Sequence, residues 1–146
     1  MKLSMNPNVF LLVRYTLGLQ LTIGAITKIA TGWSAEAYLN AATGPFSGVF
    51  QAMASSELIS QLNVWGLLLI GLSLISGLLL RPAAMFGALL MLLYYFAHFE
   101  QNTAHGVIEY HLVYAAIFTF IAVCANGLQT TWEKRFQGRI QQSIKK

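Results

Sequence analysis

The chain has 146 residues, 56% of them hydrophobic and only 10% charged, with a mean hydropathy of +0.60, where a soluble domain carries roughly 25% charged residues. So few polar groups cannot cover a water-facing surface, which excludes an ordinary soluble domain and points to one compact unit solvated by lipid. The net charge is +4, but Lys134, Arg135, Arg139, Lys145 and Lys146 crowd the C-terminal end, which suits an anionic membrane surface and argues against nucleic-acid binding.

A membrane span needs about 20 apolar residues, and four segments qualify. The first covers about 8–30, opened by the cap-and-start signal Asn6-Pro7-Asn8. It is too long and too polar, with Arg14, Gln20 and Lys28, for a cleaved signal peptide, and is read as a retained helix. Residues 31–61 follow, with Trp33, Tyr38, Phe46 and Phe50 around Gly44-Pro45. Aromatic residues favour the headgroup level, so this stretch is expected to lie at the interface as a cover over the helices, with a simple surface loop as the alternative.

The second span covers about 62–80. Arg81-Pro82 then breaks the chain, with proline suited to the first position of a new helix, and the third span runs over 82–99. The fourth covers 107–125 and ends at Asn126-Gly127. The expected fold class is therefore all-α, an integral membrane four-helix bundle in residues 1–127. A basic amphipathic tail over 128–146 places Trp132, Phe136, Ile140 and Ile144 four apart. Lys2, Arg81 and the tail share one side of the membrane, and the positive-inside rule puts both termini in the cytoplasm. Cys124 is the only cysteine; it excludes a thiol–disulfide relay and is expected to be buried and inert.

Small residues mark the faces that meet in membrane bundles. Arg14, Gly18, Leu21, Ala25 and Lys28 share one face of the first span, Arg14 and Lys28 lying within about 40° of each other. Ala84, Gly87, Met91 and His98 share a face of the third, with Tyr94 one turn before His98. His111, Ala115, Phe118, Ala122 and Ala125 do so on the fourth, and Gly66, Ser73 and Gly77 on the second. Lys28, His98 and His111 then converge near the outer surface, beside Glu100, His105 and Glu109. In a continuous helix Glu109 points about 200° away from His111, so it serves either as a favourable charge at the helix start or, with a later start, as a catalytic group. Arg14 either snorkels to the headgroups or holds an anion, a quinone oxygen or a carbonyl inside the bundle.

The histidines are candidates for a plain structural role, for proton transfer or quinone hydrogen bonding, and last for metal or haem ligation, His98 and His111 flanking the metal. No H-x-x-x-H or H-E-x-x-H spacing, flavin motif, phosphate loop or nucleophile elbow is present. The catalytic candidates are His98, His111 and Glu109. The substrate- and quinone-binding candidates are Arg14, Lys28, Tyr94, Tyr110, Tyr114 and Trp65.

The chain resembles the DoxX family of small four-helix membrane proteins over roughly Leu11 to Gly127. The similar elements are Leu11-Leu12-Val13-Arg14, Leu17-Gly18, Lys28, Trp33, Gly44-Pro45-Phe46, Asn63-Val64-Trp65-Gly66-Leu67 through Gly71 and Gly77, Arg81-Pro82 and Glu109-Tyr110-His111. The resemblance implies redox work at a prokaryotic inner membrane. It suggests a subunit similar to those of thiosulfate:quinone oxidoreductases, with quinone as cofactor and a sulfur oxyanion as reductant. By position, Arg14, Lys28, Glu109, Tyr110 and His111 look like its polar motif residues. The alternatives are a non-catalytic membrane subunit that places a soluble or membrane redox partner, and, more weakly, a small-molecule carrier. A homo-oligomer is compatible with all three.

Overall fold

The computed structural model describes residues 6–104 and 106–125; His105 and the tail expected over 128–146 lie outside them. The described residues are all helix and turn, in seven helices: α1 (Pro7–Ala30), α2 (Glu36–Asn40), α3 (Ser47–Ala52), α4 (Glu57–Ser76), α5 (Leu80–Ala97), α6 (Phe99–Thr103) and α7 (Tyr110–Cys124). Three of them, α1, α4 and α5, are long and apolar enough to cross a membrane, and α7 is a shorter apolar helix of 15 described residues.

Local chemistry sets the ends. Asn6 is extended and its side chain accepts from the Asn8 amide at 2.9 Å, with Pro7 at the first helical position of α1. The second span begins earlier than expected, at Glu57. Its first turn is polar, and a hydropathy window misses it. Glu57 favours the positive helix end and accepts from Gln61 Nε2 one turn on, at 2.8 Å. Gly77 ends α4 at φ +76°, a left-handed position that suits glycine. Leu79 follows at φ +51°, and α5 starts at Leu80. Pro82 is therefore the third residue of α5, not the first. It is still within the turn where a missing N–H is harmless.

α1 packs along α4, α5 along α7, and α4 meets α5 across the Gly77–Leu79 turn. The buried faces of α1, α5 and α7 are those marked by their small residues, with Gly18, Ala25, Ala84, Gly87, Ala115 and Ala122 all buried. On the second span the expectation holds only for Gly77, which is buried. Gly66 and Ser73 are only partly buried, and the packed stripe is Ser60, Val64, Leu67, Ile70, Gly71 and Leu74. α4 is apolar nearly all round, so periodicity does not single out its inner face. Gly71 and Gly18 let the α1 and α4 backbones approach; a Cβ on Gly71 would meet the Gly18 carbonyl at 2.9 Å. Large apolar side chains cover the outside, Leu12 being 67% and Phe86 64% exposed. Cys124 is half-buried rather than sealed in the core.

Residues 31–56 form a compact cover and not a free loop. Ala35, Leu39 and Ala54 make a second small core with Trp33, Tyr38, Phe50 and Ile59. The Ala35 amide donates to the buried Ser60 hydroxyl of α4 at 2.9 Å. The Thr43 amide donates to the Ala97 carbonyl at 2.9 Å, fastening the cover to the end of α5. Gly44, at φ +85°, sits against Phe99 where any Cβ would collide with the ring.

A candidate site at the ends of α1, α5 and α7

The sequence suggested a fourth span from residue 107, but α7 begins three residues later. Gly106 has φ +133°, and Glu109 is extended as the N-cap. This reverses the geometry a continuous helix would give the acid. The Glu109 carboxylate swings over the first turn, where Oε2 accepts from the His111 amide at 2.9 Å and lies 2.7 Å from His111 Nδ1. One acid thus caps the helix and fixes the imidazole. A carboxylate only accepts, so the shared proton sits on Nδ1, and Nε2 is left as the position open to exchange.

His111 is buried and lines a cavity of about 200 Å³. Tyr94, Tyr110 and Tyr114 share that wall, with Lys28 at one edge, Gln20 at another and Phe118 below. Tyr94 meets the His111 ring edge-on at 5.8 Å, and Tyr110 lies against it at 4.0 Å. Gln20 and Tyr114 close the α1–α7 side, the amide donating to the phenol at 2.8 Å. Gly87 is what admits Phe118 so close to α5, because a Cβ there would fall inside the ring.

Lys28 is half-buried and held on two sides. Its Nζ donates to Asn63 Oδ1 at 2.9 Å and stands 3.7 Å from the centre of the Trp33 ring. Asn63 Nδ2 in turn donates to the Tyr94 hydroxyl. Lys28, Asn63 and Tyr94 therefore form one chain from α1 through α4 to α5.

The other candidates fall elsewhere. His98 is not in the cavity. It ends α5 and holds the cover, with Nε2 donating to the Tyr38 carbonyl at 3.1 Å, Nδ1 against Gln101 Oε1, and the Tyr38 ring at 4.3 Å. Tyr38 is itself buried, which pushes its phenol well above the ordinary value, with the neighbouring Tyr94 adding to the effect. Trp65 lies on the outer face of α4, 51% exposed, its Nε1 donating to Gln61 at 3.1 Å. Arg14 is fully buried with its guanidinium 4.9 Å from the Tyr15 ring. It does not snorkel, and it sits about 21 Å along α1 from Lys28.

Two groups central to the site were not among the sequence candidates. Asn63 is an uncharged residue inside an apolar helix, and Gln20 interrupts an apolar run. In both cases the polarity within a span was the available signal. Among the described residues no group of three or more His, Cys, Asp or Glu side chains is arranged to hold a metal ion. No family model, curated protein or solved structure matches the chain.

Proposed function

We propose that the chain is a multi-pass inner-membrane protein of prokaryotic type, a four-helix bundle of α1, α4, α5 and α7 with both termini cytoplasmic. Its function is that of the membrane subunit of a quinone-linked oxidoreductase, as its DoxX-like residues suggest. One observation carries the redox part: a one-ring-sized cavity in which an oriented His111–Glu109 pair faces Tyr94 and Lys28. Cavities of about 150 Å³ already admit benzene, so the 200 Å³ available here suits a quinone head group.

The aromatic walls offer flat apolar faces to a ring. Lys28 would donate to a ring oxygen, with the Tyr94 ring forming the wall beside it, and would also attract an anionic reductant such as a sulfur oxyanion. His111 Nε2 would be the atom placed to give or take a proton beside such a ring, and Glu109 fixes the imidazole through Nδ1. A bound quinone would supply the two-electron acceptance that the chain's own side chains lack.

A second reading has its own support. Lys28, Asn63 and Tyr94 satisfy one another without a ligand, as they would in a non-catalytic subunit that places a partner. Mass analysis of whatever co-purifies with the solubilised protein separates the two. A stoichiometric quinone that disappears in His111→Ala is the expected result. A firmly held soluble protein with no quinone would favour the anchor, and unaltered turnover in His111→Ala would remove His111 from the mechanism.

A further inference from the structure

A second, larger space lies between the cover and the long helices. It measures about 540 Å³ and is walled by Val49 and Phe50 of α3, Leu62 of α4, and Leu93 and Phe96 of α5. Volumes of roughly 300–1,000 Å³ are those of pockets that hold drug-sized ligands, and close-packed interiors do not ordinarily leave such a void. Its polar side chains are gathered in one place. Asn63 bonds Tyr94 and the Tyr38 hydroxyl donates to the Tyr94 carbonyl at 3.4 Å, while Lys28, outside the lining, bonds Asn63 from behind.

That polar end is rich in donors. The Tyr94 hydroxyl accepts from Asn63 and keeps its own proton to give, and the Asn63 amide has a second N–H. Among the described residues no carboxylate lies within ion-pair distance of Lys28, so the local charge is positive. The other end is open. Val49 is 61% and Leu62 60% exposed, and both line the space. The open side lies where α3 faces the membrane-length helices α4 and α5, and the side chains exposed there are apolar.

We infer that the chamber under the α2–α3 cover is a lateral site for a single-chain amphiphile, which enters from the bilayer and presents a hydrogen-bond-accepting head to Tyr94 and Asn63, backed by Lys28. The site rests on the membrane reading above and not on the redox one. A carboxylate or a quinone carbonyl would each satisfy these donors, and burial of the chain against aromatic and aliphatic walls supplies the affinity.

The test uses the full chain in phosphatidylcholine nanodiscs, irradiated with a palmitic acid that carries a mid-chain diazirine. Labelling should saturate, map to Phe50, Met53 and Leu93, and be displaced by excess palmitate or by a decyl-chain benzoquinone. The stronger competitor identifies the head as carboxylate or carbonyl. Val49→Trp and Leu93→Trp fill the chamber from its open side and should cut labelling about tenfold or more. Leu69→Trp, on the outer face of α4 where Leu69 is 62% exposed, should not. His111→Gln should leave labelling intact even if the redox reading fails. Unsaturable labelling spread evenly over Leu12, Leu69 and Phe86 would show ordinary surrounding lipid and overturn the site. Release of the protein from membranes by alkaline carbonate would overturn both this site and the membrane reading.

Discussion

Two spaces meet at Tyr94, and they are built in opposite ways. The smaller is assembled from long helices: Lys28 and Gln20 on α1, Tyr94 on α5, His111 and Tyr114 on α7. The larger is closed by short helices and turns that fold back over α4 and α5. The first depends on which side of a regular helix a residue occupies, a property encoded three and four positions apart. The second depends on contacts between residues far apart in the chain, such as Ala35 with Ser60 and Thr43 with Ala97. A helical wall is therefore sensitive to single small residues, whereas the cover is held by several modest bonds.

The largest expected effect tests that contrast on the helical side. Gly87→Val would drive a side chain into the Phe118 ring, at the floor of the polar cavity. Overpacking of this kind costs about 1–3 kcal/mol. A clear fall in the unfolding midpoint in detergent is expected, with loss of any ligand that depends on His111. The cover lies elsewhere, so palmitate labelling of the chamber should persist in the fraction that remains folded. If labelling is lost in that fraction as well, the two spaces are not independent.

Asn63→Leu acts on the chamber wall behind Tyr94 and comes next. It leaves the Lys28 ammonium without its oxygen and Tyr94 without its donor. Stranding such groups costs about 1–3 kcal/mol. Destabilisation within that range, together with weaker labelling in the chamber and weaker ligand retention in the polar cavity, is the expected pattern. Asn63→Asp provides a sharper comparison, since it keeps the acceptor for Lys28 while removing the donor to Tyr94. Equal loss in both variants would show that the Tyr94 bond matters more than the Lys28 one.

Glu109→Ala should be milder. Loss of an N-cap acceptor costs about 1 kcal/mol, and it also frees the His111 ring. Glu109→Gln retains an oxygen for the His111 amide but replaces the carboxylate facing Nδ1 with a neutral amide. Stability should thus recover largely in Glu109→Gln while any proton-linked turnover does not. Recovery of both would reduce Glu109 to a cap.

The same contrast explains what could be read from the residues beforehand. The inner faces of α1, α5 and α7 followed from Gly18, Gly87 and Ala115 because small residues stood out against large apolar ones. α4 offered no such relief, and its Gly71 seam was missed. Glu109 had two readings, and the start of α7 three residues later puts it at the helix start as a cap, since one extended residue turns a side chain from the far face of a helix back over its first turn. His98 shared a helical face with Gly87 and Met91, yet it lies just beyond the last helical residue, at φ −122° and ψ 46°. The spacing no longer aims it there, and it ties down the cover instead. Asn63 was noted only as part of a motif and, carrying no charge, was not taken as a site residue, although a carboxamide within a membrane-length helix requires partners.

Trp65 is the smallest case and the most direct check on reading a motif by position. It stands two residues from Asn63, close enough in sequence to be grouped with the site, but those two residues turn it about 200° around α4. There it is 51% exposed and bonded only to Gln61, one turn back. Trp65→Phe keeps an aromatic ring on the outer face and gives up one exposed hydrogen bond. The change in stability should stay within about 0.5 kcal/mol, and neither quinone retention nor palmitate labelling should move. A loss of quinone with unchanged stability would return Trp65 to the binding set and mean that the ligand sits outside α4, in contact with lipid, rather than between α1, α5 and α7.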